Sequence, residues 1–207
     1  MKKEYLLEGM RGKIDDRVIQ AMDKIPRELF IPEPYRLNAY DDTPLPIGHS
    51  QTISAPHMVA IMCDLLDLRN GMKVLEVGGG SGYHAAIMAE LVKPDGYIFS
   101  IERISDLVSQ AKENLRKAGV FNVSMIQGDG SAGLPENAPF DRISVAATAP
   151  RIPEPLKQQL KVGGKMVIPV GTAFQELVML TRKNGFYVEE KMGVAFVPLI
   201  GEHGFKQ

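Results

Sequence analysis

A glycine-rich turn and a carboxylate after the next apolar segment are the residues best suited to hold a nucleotide. Gly78, Gly80 and Gly82 follow a short apolar segment that ends at Val77. Glycines allow a tight turn and the close approach of a ligand, and the first N–H groups of a following helix can point at that ligand. Glu102 lies 20 residues after Gly82. A carboxylate at this spacing can accept hydrogen bonds from both hydroxyls of a ribose.

A second carboxylate extends the pattern. Asp129 follows a third apolar segment, 123–126, where it can accept a hydrogen bond from the exocyclic amino group of adenine. The turn has the spacing G-x-G-x-G and lacks the final glycine of G-x-G-x-x-G, which argues against a nicotinamide dinucleotide. Taken alone, the turn would also fit an unrelated α/β domain. Glycines, Glu and Asp at three successive strand ends resemble the fold of S-adenosylmethionine-dependent methyltransferases.

The elements that must position these residues alternate between strand and helix. The pattern predicts strands at 74–77, 97–101, 123–126, 140–147, 165–170, 176–181 and about 191–197. It predicts helices after Asp15 and Asp16, from 81 to 92, from 104 to 118 with a cap at Ser105, and one that ends near 160. This order predicts an α/β fold with a doubly wound, mostly parallel seven-stranded sheet. Asn184-Gly185 indicates an antiparallel C-terminal hairpin.

The composition excludes several classes of protein. The net charge is −1, with 24 Lys and Arg against 25 Asp and Glu, so we expect no nucleic-acid partner. The single cysteine, Cys63, excludes an internal disulfide and a cysteine metal cluster. It lies among apolar residues, so a buried small hydrophobic side chain is expected. No run of 18 apolar residues and no signal peptide occur, so we expect a cytoplasmic protein without a membrane contact.

Residues 40–57 form the unusual part of the chain. They contain three prolines, little periodicity and a cluster of hydroxyl, amide and imidazole groups. Long loops of this kind are often functional, and the apolar residues and prolines favour an ordered, irregular loop. Two structural alternatives stay open on residue type alone. Ser54 could cap the helix that follows, with Pro56 in its first turn, and His57 could be a surface residue of that turn.

The loop and the glycine turn together resemble the protein-L-isoaspartate O-methyltransferase family, over about residues 5–200. The run Thr52–Met58 is the most diagnostic, because other methyltransferases of this fold lack it. The remaining matching stretches are 44–48, 74–83, 101–103, 128–130, 140–143, 149–150, 169–171 and 196–199. Among the departures, Gly79 stands where the family often has Thr or Ser.

The resemblance implies methyl transfer from S-adenosylmethionine to the free carboxylate of L-isoaspartyl and, more weakly, D-aspartyl residues, with S-adenosylhomocysteine as product. Ser54 would then orient the substrate carboxylate, with Thr52 in support. The cofactor would be held by Glu102 at the ribose, by Asp129 and Gly130 at the adenine, and by the backbone of Gly78–Gly82, which includes Gly80 and Ser81, at the methionine side. The resemblance also places Glu76, His57 and Gln175 at the cofactor. It implies no metal.

We expect one methyltransferase domain over 1–207. It would contain an N-terminal helical segment with the substrate loop (1–70), a cofactor-binding core (71–182) and a C-terminal hairpin strand and tail (183–207). Damaged proteins are the expected partners, and the chain is expected to act as a monomer. The edge segment 196–199 could pair with an extended substrate peptide.

Three other functions are alternatives for a chain of this pattern. A methyltransferase for a small molecule or tRNA would have a closed small pocket or a basic face. A methyltransferase for amino groups of bases is disfavoured, because 146–150 lacks a side chain that could grip an exocyclic amine. A non-catalytic cofactor-binding module would be expected to lose Glu102, Asp129 or the loop residues, and all are present.

Overall fold

Strands and helices alternate along the chain as the sequence predicts. The computed structural model describes residues 2–206. The helices are α1 (Lys2–Glu8), α2 (Asp16–Lys24), α3 (Pro56–Leu66), α4 (Tyr83–Leu91), α5 (Ser105–Lys117) and α6 (Glu154–Gln159). The strands are β1 (Leu45–Gly48), β2 (Gln51–Ile53), β3 (Lys73–Val77), β4 (Tyr97–Glu102), β5 (Val123–Gln127), β6 (Phe140–Val145), β7 (Leu160–Gly171), β8 (Gln175–Arg182) and β9 (Phe186–Val194).

Strands β3 to β9 form one seven-stranded sheet in the order β5-β4-β3-β6-β7-β8-β9. The pairs from β5 to β7 are parallel. The pairs β7–β8 and β8–β9 are antiparallel. The sequence-based prediction of a mostly parallel sheet with an antiparallel C-terminal hairpin is therefore confirmed. In such a sheet the carboxyl ends of the parallel strands meet at one edge, which brings the residues after β3, β4, β5 and β6 together.

The sheet separates two apolar cores. Alternate residues of β3 point to opposite faces, so Val74 joins the core formed with α2–α5 and Leu75 joins the core formed with α6. Parallel strands covered on both faces are apolar almost throughout, and Val74, Leu75 and Val77 are fully buried. Glu76 interrupts this apolar run and shares a face with Val74. Among residues 2–206 we find no helix with the length and apolarity that a membrane crossing requires.

The expectation of an irregular loop over 40–57 was wrong for its centre, because β1 and β2 form an antiparallel hairpin. Its turn residues, His49 and Ser50, have φ values of 52° and 57°, the left-handed conformation that two-residue hairpin turns require. Asn-Gly is the usual sequence for such a turn, and because it is absent here the sequence did not indicate a hairpin. The two strands carry Thr52 at a fixed position beside the sheet edge.

Several boundaries also differ from the prediction; β7, for example, begins at Leu160 rather than at 165. Strand β9 ends at Val194, and the following residues pair instead with Thr148, whose N–H donates to the carbonyl of Val197 at 2.9 Å. Helix α5 is preceded by Ile104 without a side-chain cap, so Ser105 lies in its first turn. Helix α3 has Ala55 at its N-cap position, and the capping alternative for Ser54 was therefore wrong.

Strand β9 forms one edge of the sheet, and β5 forms the other. Its residues 186–193 are exposed on both faces. The centre of the strand is charged, with Glu189, Glu190 and Lys191, and Lys191 forms an ion pair with Glu189 at 2.8 Å. A register shift interrupts the pairing of β8 with β9 between Leu177 and Val178.

Candidate active site

The glycine turn joins β3 to α4 at the carboxyl edge of the sheet. Gly78, Gly80 and Gly82 have φ values of 90°, 52° and 86°, so each needs the conformational freedom of glycine. Gly82 also packs against α5, where an added Cβ would lie 3.3 Å from Ala111 Cβ. Ser81 is buried, and its carbonyl accepts a hydrogen bond from Asn114 at 3.0 Å. The turn is therefore fixed by helix packing on its outer side and open on its inner side.

Glu102 ends β4 and faces this turn. One carboxylate oxygen accepts a hydrogen bond from the N–H of Gly80 and the other from the N–H of Ile104, both at 3.0 Å. A carboxylate offers about four acceptor positions, so two of them are still available. The side chain is thus held in one orientation and can accept from a pair of neighbouring hydroxyls, as the ribose role requires.

A cavity lies between the glycine turn, the β1–β2 hairpin and the C-terminal segment; we call it the glycine-turn cavity. It is lined by Ile47, Gln51, Thr52, Val77, Gly78, Gly80, Ile101, Glu102, Arg103, Gly130, Ala146, Ala147 and residues 197–200. Gly130 has no room for a side chain, because an added Cβ would lie 2.4 Å from Val77 Cγ1. The backbone of residue 130 therefore approaches β3 closely. Predicted cofactor contacts from three strand ends meet here, namely Gly78, Gly80, Glu102 and Gly130.

Asp129 is adjacent to this cavity but does not line it. Its Oδ1 accepts hydrogen bonds from the N–H and the hydroxyl of Ser131, at 2.9 and 2.7 Å. Its Oδ2 accepts from the N–H of Glu202 at 2.7 Å. These donors hold the pKa of Asp129 below its usual value, against the opposing effect of partial burial. The carboxylate thus fastens the C-terminal segment to the end of β5, and its adenine contact stays a prediction.

Glu76 lies beneath the turn rather than in the cavity. It is fully buried and accepts a hydrogen bond from the hydroxyl of Ser100 on β4. Its other oxygen lies 3.6 Å from His84 Nδ1 on α4, too far for a hydrogen bond. Burial raises the pKa of Glu76 to about 8, and burial lowers the pKa of His84 to about 4. Both groups are therefore neutral at pH 7, and a cofactor contact of Glu76 stays a prediction.

A second cavity, of 480 Å³, lies beside the first; we call it the loop cavity. It is lined by Asp42, Pro44, Thr52, Ser54, Ala55, His57, Met58, Ala146 and residues 192–197. Thr52, Ala146 and Val197 line both cavities. The two predicted catalytic residues, Ser54 and Thr52, are thus brought together in this cavity. No Lys or Arg occurs among its lining residues.

Arg27 is a functional candidate that the sequence analysis missed. It is fully buried, its Nε donates to the carbonyl of Ala39 at 2.9 Å, and its Nη2 donates to the carbonyl of Ser54 at 2.7 Å. Its guanidinium stacks on the ring of Tyr83 at 4.8 Å. Burial lowers its pKa from the usual value. Arg27 therefore holds both ends of the 39–54 segment, which contains the hairpin and Ser54.

Asp42 is a second residue that was missed. Its Oδ1 accepts from the N–H of His57 at 3.0 Å and lies 2.9 Å from His57 Nδ1. Both side chains are nearly half exposed. His57 lines the loop cavity and not the glycine-turn cavity, so the structure does not bring it to the other predicted cofactor contacts. Its predicted role as a cofactor contact stays a prediction.

Gln175 lies at the start of β8, outside both cavities. Its amide accepts from the N–H of Phe196 at 2.6 Å and donates to the carbonyl of Phe196 at 3.1 Å. These two bonds fix the main chain next to Val197, which lines both cavities. The side chain is therefore engaged in positioning this segment, and a direct cofactor contact stays a prediction.

Comparison with known proteins gives one consistent family. A family model described as protein-L-isoaspartate(D-aspartate) O-methyltransferase (PCMT) matches residues 1–204. The chain is 64% identical to a protein-L-isoaspartate O-methyltransferase from Methanothrix thermoacetophila, over 100% of this chain and 98% of the relative. It is 56% identical to one from Methanococcoides burtonii, over 92% of this chain and 95% of that relative.

Solved structures agree with the sequence relatives. A protein-L-isoaspartate O-methyltransferase structure superposes with a TM-score of 0.90 at 31% identity, over 98% of this chain and 67% of that chain. A β-aspartate methyltransferase (PCMT) from Plasmodium falciparum, in complex with S-adenosyl-L-homocysteine, superposes with a TM-score of 0.83 at 33% identity, over 95% of this chain and 97% of that chain. With a matching family model, close relatives and a shared seven-stranded fold, this chain belongs to the protein-L-isoaspartate(D-aspartate) O-methyltransferase family.

Proposed function

We propose that this chain methylates the free carboxylate of L-isoaspartyl residues, and more weakly of D-aspartyl residues, in damaged proteins. The donor is S-adenosylmethionine, in line with family membership. The observation that carries the proposal is the wall of Thr52, Ala146 and Val197 that the two cavities share. A nucleotide-type site and a site with two hydroxyl donors, Thr52 and Ser54, therefore meet directly.

The glycine-turn cavity presents the contacts that the cofactor needs. Its volume is 60 Å³, so its lining residues have to move apart for the whole cofactor to enter. When bound, S-adenosylmethionine supplies a methyl group on a positively charged sulfur. Glu102 accepts from the ribose hydroxyls with the acceptor positions that Gly80 and Ile104 leave available. Gly78 and Gly80 have no side chain of their own, which favours a close approach of the cofactor to their backbone.

The loop cavity suits the substrate carboxylate. A carboxylic acid of this kind has an ordinary pKa near ~4, so it is ionised at neutral pH and needs no general base. A cationic side chain would reduce the nucleophilicity of its oxygen, and no Lys or Arg lines the cavity. The hydroxyls of Ser54 and Thr52 orient the carboxylate instead. Most of the rate enhancement then comes from positioning and from the exclusion of water.

Arg27 contributes to this positioning without contacting the substrate. By bonding to the carbonyl of Ser54, it fixes the backbone that carries the orienting hydroxyl. Asp42 fixes the first turn of α3 through His57 in the same way. A backbone amide nitrogen of the substrate then attacks the methyl ester without further catalysis, and methanol leaves as the succinimide forms. Hydrolysis of the ring returns some normal aspartate.

The remaining features of the proposal concern the setting of the reaction. The balanced charge supports protein rather than nucleic-acid substrates. The buried free thiol of Cys63 is compatible with a reducing cytoplasm.

The decisive experiment uses two peptides that differ only in one isoaspartyl or normal aspartyl residue. We expect base-labile label from methyl-labelled S-adenosylmethionine on the isoaspartyl peptide alone. A third peptide with D-aspartate should be labelled more slowly. Label on neither isoaspartyl nor D-aspartyl peptide, with S-adenosylhomocysteine still bound, would refute the protein-repair reaction and direct the search to small-molecule acceptors.

A further inference from the structure

A third cavity, of 750 Å³, lies near the site and is not used by the proposed function; we call it the N-terminal cavity. It lies between α1, the turn that follows α1, residues 40–42 and the first half of α3. Leu6, Ile14 and Ile61 line it and pack against the core below α2–α5. Tyr5, which is 86% exposed, also lines it.

The N-terminal cavity adjoins the loop cavity. Asp42 and His57 line both. Their two contacts, at 3.0 and 2.9 Å, hold them together as a fixed ridge. Both side chains are nearly half exposed, so this ridge separates the two cavities without closing one from the other.

The chemistry of the cavity favours an apolar occupant. Its charged lining residues are two lysines and two aspartates, Lys2, Lys13, Asp41 and Asp42. Lys2 pairs with Asp41 at 2.9 Å, and Asp42 is engaged by His57. With its charges largely offset and an apolar floor, the cavity gains most from burying aliphatic or aromatic surface.

We propose that the N-terminal cavity is a subsite for the substrate polypeptide, which takes an apolar side chain of a residue near the isoaspartyl residue. The proposal rests on the proposed function, because it assumes that the isoaspartyl carboxylate occupies the loop cavity. The polypeptide must continue beyond that residue, and a path over the Asp42–His57 ridge leads from the loop cavity into the N-terminal cavity. In an extended chain, residues two to four positions away lie roughly 7–14 Å from the isoaspartyl residue.

Gly9 offers a clean way to fill the cavity. It lines the cavity, and an added Cβ would meet its nearest neighbours, the carbonyl oxygens of Leu6 and Tyr5, at ordinary distances of 3.5 and 3.6 Å. Larger side chains can therefore be introduced in steps as Gly9→Leu and Gly9→Trp. Gly185, in the turn between β8 and β9, has no neighbour within 4 Å of an added Cβ, and Gly185→Trp is the matched control.

The test uses a series of peptides that contain one isoaspartyl residue among Gly and Ser. One Leu is placed at each position in turn, from four residues before the isoaspartyl residue to four after it, and kcat/KM is measured for each peptide. For the unaltered chain we expect about a 3- to 10-fold increase at one or two neighbouring positions on one side, mostly through KM, since a leucine is partly buried. Gly9→Trp should remove this increase, Gly9→Leu should reduce it, and Gly185→Trp should preserve it.

Three controls separate the subsite from other effects. All variants should methylate the Leu-free peptide with unchanged kcat, keep their affinity for S-adenosylhomocysteine and unfold at similar temperatures. A flat position profile in the unaltered chain, or a profile that Gly9→Trp leaves unchanged, would overturn the proposal. The proposal would also be overturned if Gly9→Trp changed only the self-association of the chain, measured by sedimentation. That result would assign the cavity to contact with a second copy of the chain. Failure to methylate the Leu-free peptide at all would instead refute the proposed function.

Discussion

Replacing Arg27 by lysine should separate loop positioning from cofactor binding. Arg27 bonds to the carbonyls of Ala39 and Ser54 through two different nitrogens, and a single ammonium group cannot reproduce both bonds in the same geometry. Loss of one charge-assisted hydrogen bond costs about 1.5–3 kcal/mol. For a chain of this size, about 1 kcal/mol corresponds to roughly 2–4 °C in Tm, so Arg27→Lys should lower Tm by about 3–12 °C.

The functional effect should exceed the loss of stability. A misplacement of about 1 Å can cost roughly 100-fold in rate, so we expect kcat/KM for an isoaspartyl peptide to fall roughly 10- to 100-fold at a temperature where the variant is folded. Affinity for S-adenosylhomocysteine, measured by calorimetry, should change little, because Arg27 does not line the glycine-turn cavity. Hydrogen exchange should become faster in residues 39–54.

Arg142→Lys provides the matched control. Arg142 is also buried and bonds to the carbonyls of Leu66, Asp67 and Asp141, but it lines neither cavity. It should lose similar stability while its kcat/KM stays within about 3-fold of the unaltered chain. If the two variants lost stability equally and kept the same kinetics, the positioning role of Arg27 would be refuted.

Four further substitutions test individual contacts. Ser54→Ala should lower kcat about 2- to 13-fold, the equivalent of one neutral hydrogen bond, with unchanged affinity for S-adenosylhomocysteine; an equal loss in both would contradict its assignment. Glu102→Gln should weaken that affinity about 12- to 150-fold by calorimetry, since a charge-assisted bond is lost, and an affinity within 3-fold would argue against ribose binding. Folding raises the pKa of Glu76 from 4.5 to about 8 and lowers that of His84 from 6.5 to about 4. Between pH 4.5 and 6.5 their opposite effects on the free energy of unfolding cancel. From pH 6.5 to pH 8 only Glu76 contributes, and the free energy of unfolding falls by about 1.4 kcal/mol per pH unit. Glu76→Gln should abolish this fall in denaturant titrations, and a persistent fall would refute the protonated state of Glu76. Gln175→Ala should lose about 1–3 kcal/mol for its two bonds and raise KM for peptides, whereas an unchanged KM would deny it a positioning role.

The parts of the site that follow from local chemistry could be predicted from the sequence. The glycine turn needs positive φ at Gly78, Gly80 and Gly82. Only glycine adopts this conformation readily, so the three glycines in the sequence predict the turn. Glu102 follows from its place at the end of the second strand of the pattern. The alternation of strands and helices predicts a mostly parallel sheet, in which the carboxyl ends of the parallel strands lie at one edge.

The residues that act over long sequence distances could not be predicted in this way. Arg27 donates to the carbonyls of Ala39 and Ser54, and Ser54 is 27 positions away. Every residue has a backbone carbonyl, so the sequence does not indicate which ones Arg27 contacts. Asp129 accepts a hydrogen bond from the N–H of Glu202, 73 positions away. The residue type of Asp129 indicated an adenine contact, but it did not indicate this bond to the C-terminal segment. The hairpin turn at His49 and Ser50 escaped notice, because its residues carry no turn preference that reveals a left-handed conformation.

The open edge formed by β9 has a consequence for a protein that handles damaged chains. Such substrates expose extended, partly unfolded segments, and an unpaired strand is a template on which they could add further strands and aggregate. The charges of Glu189, Glu190 and Lys191 on this edge and the bulge beside it both oppose a flat, continuous addition of strands. The edge therefore opposes co-aggregation of the enzyme with the material that it repairs. Substrate contact is left to the end of the strand, where residues 192–194 line the loop cavity.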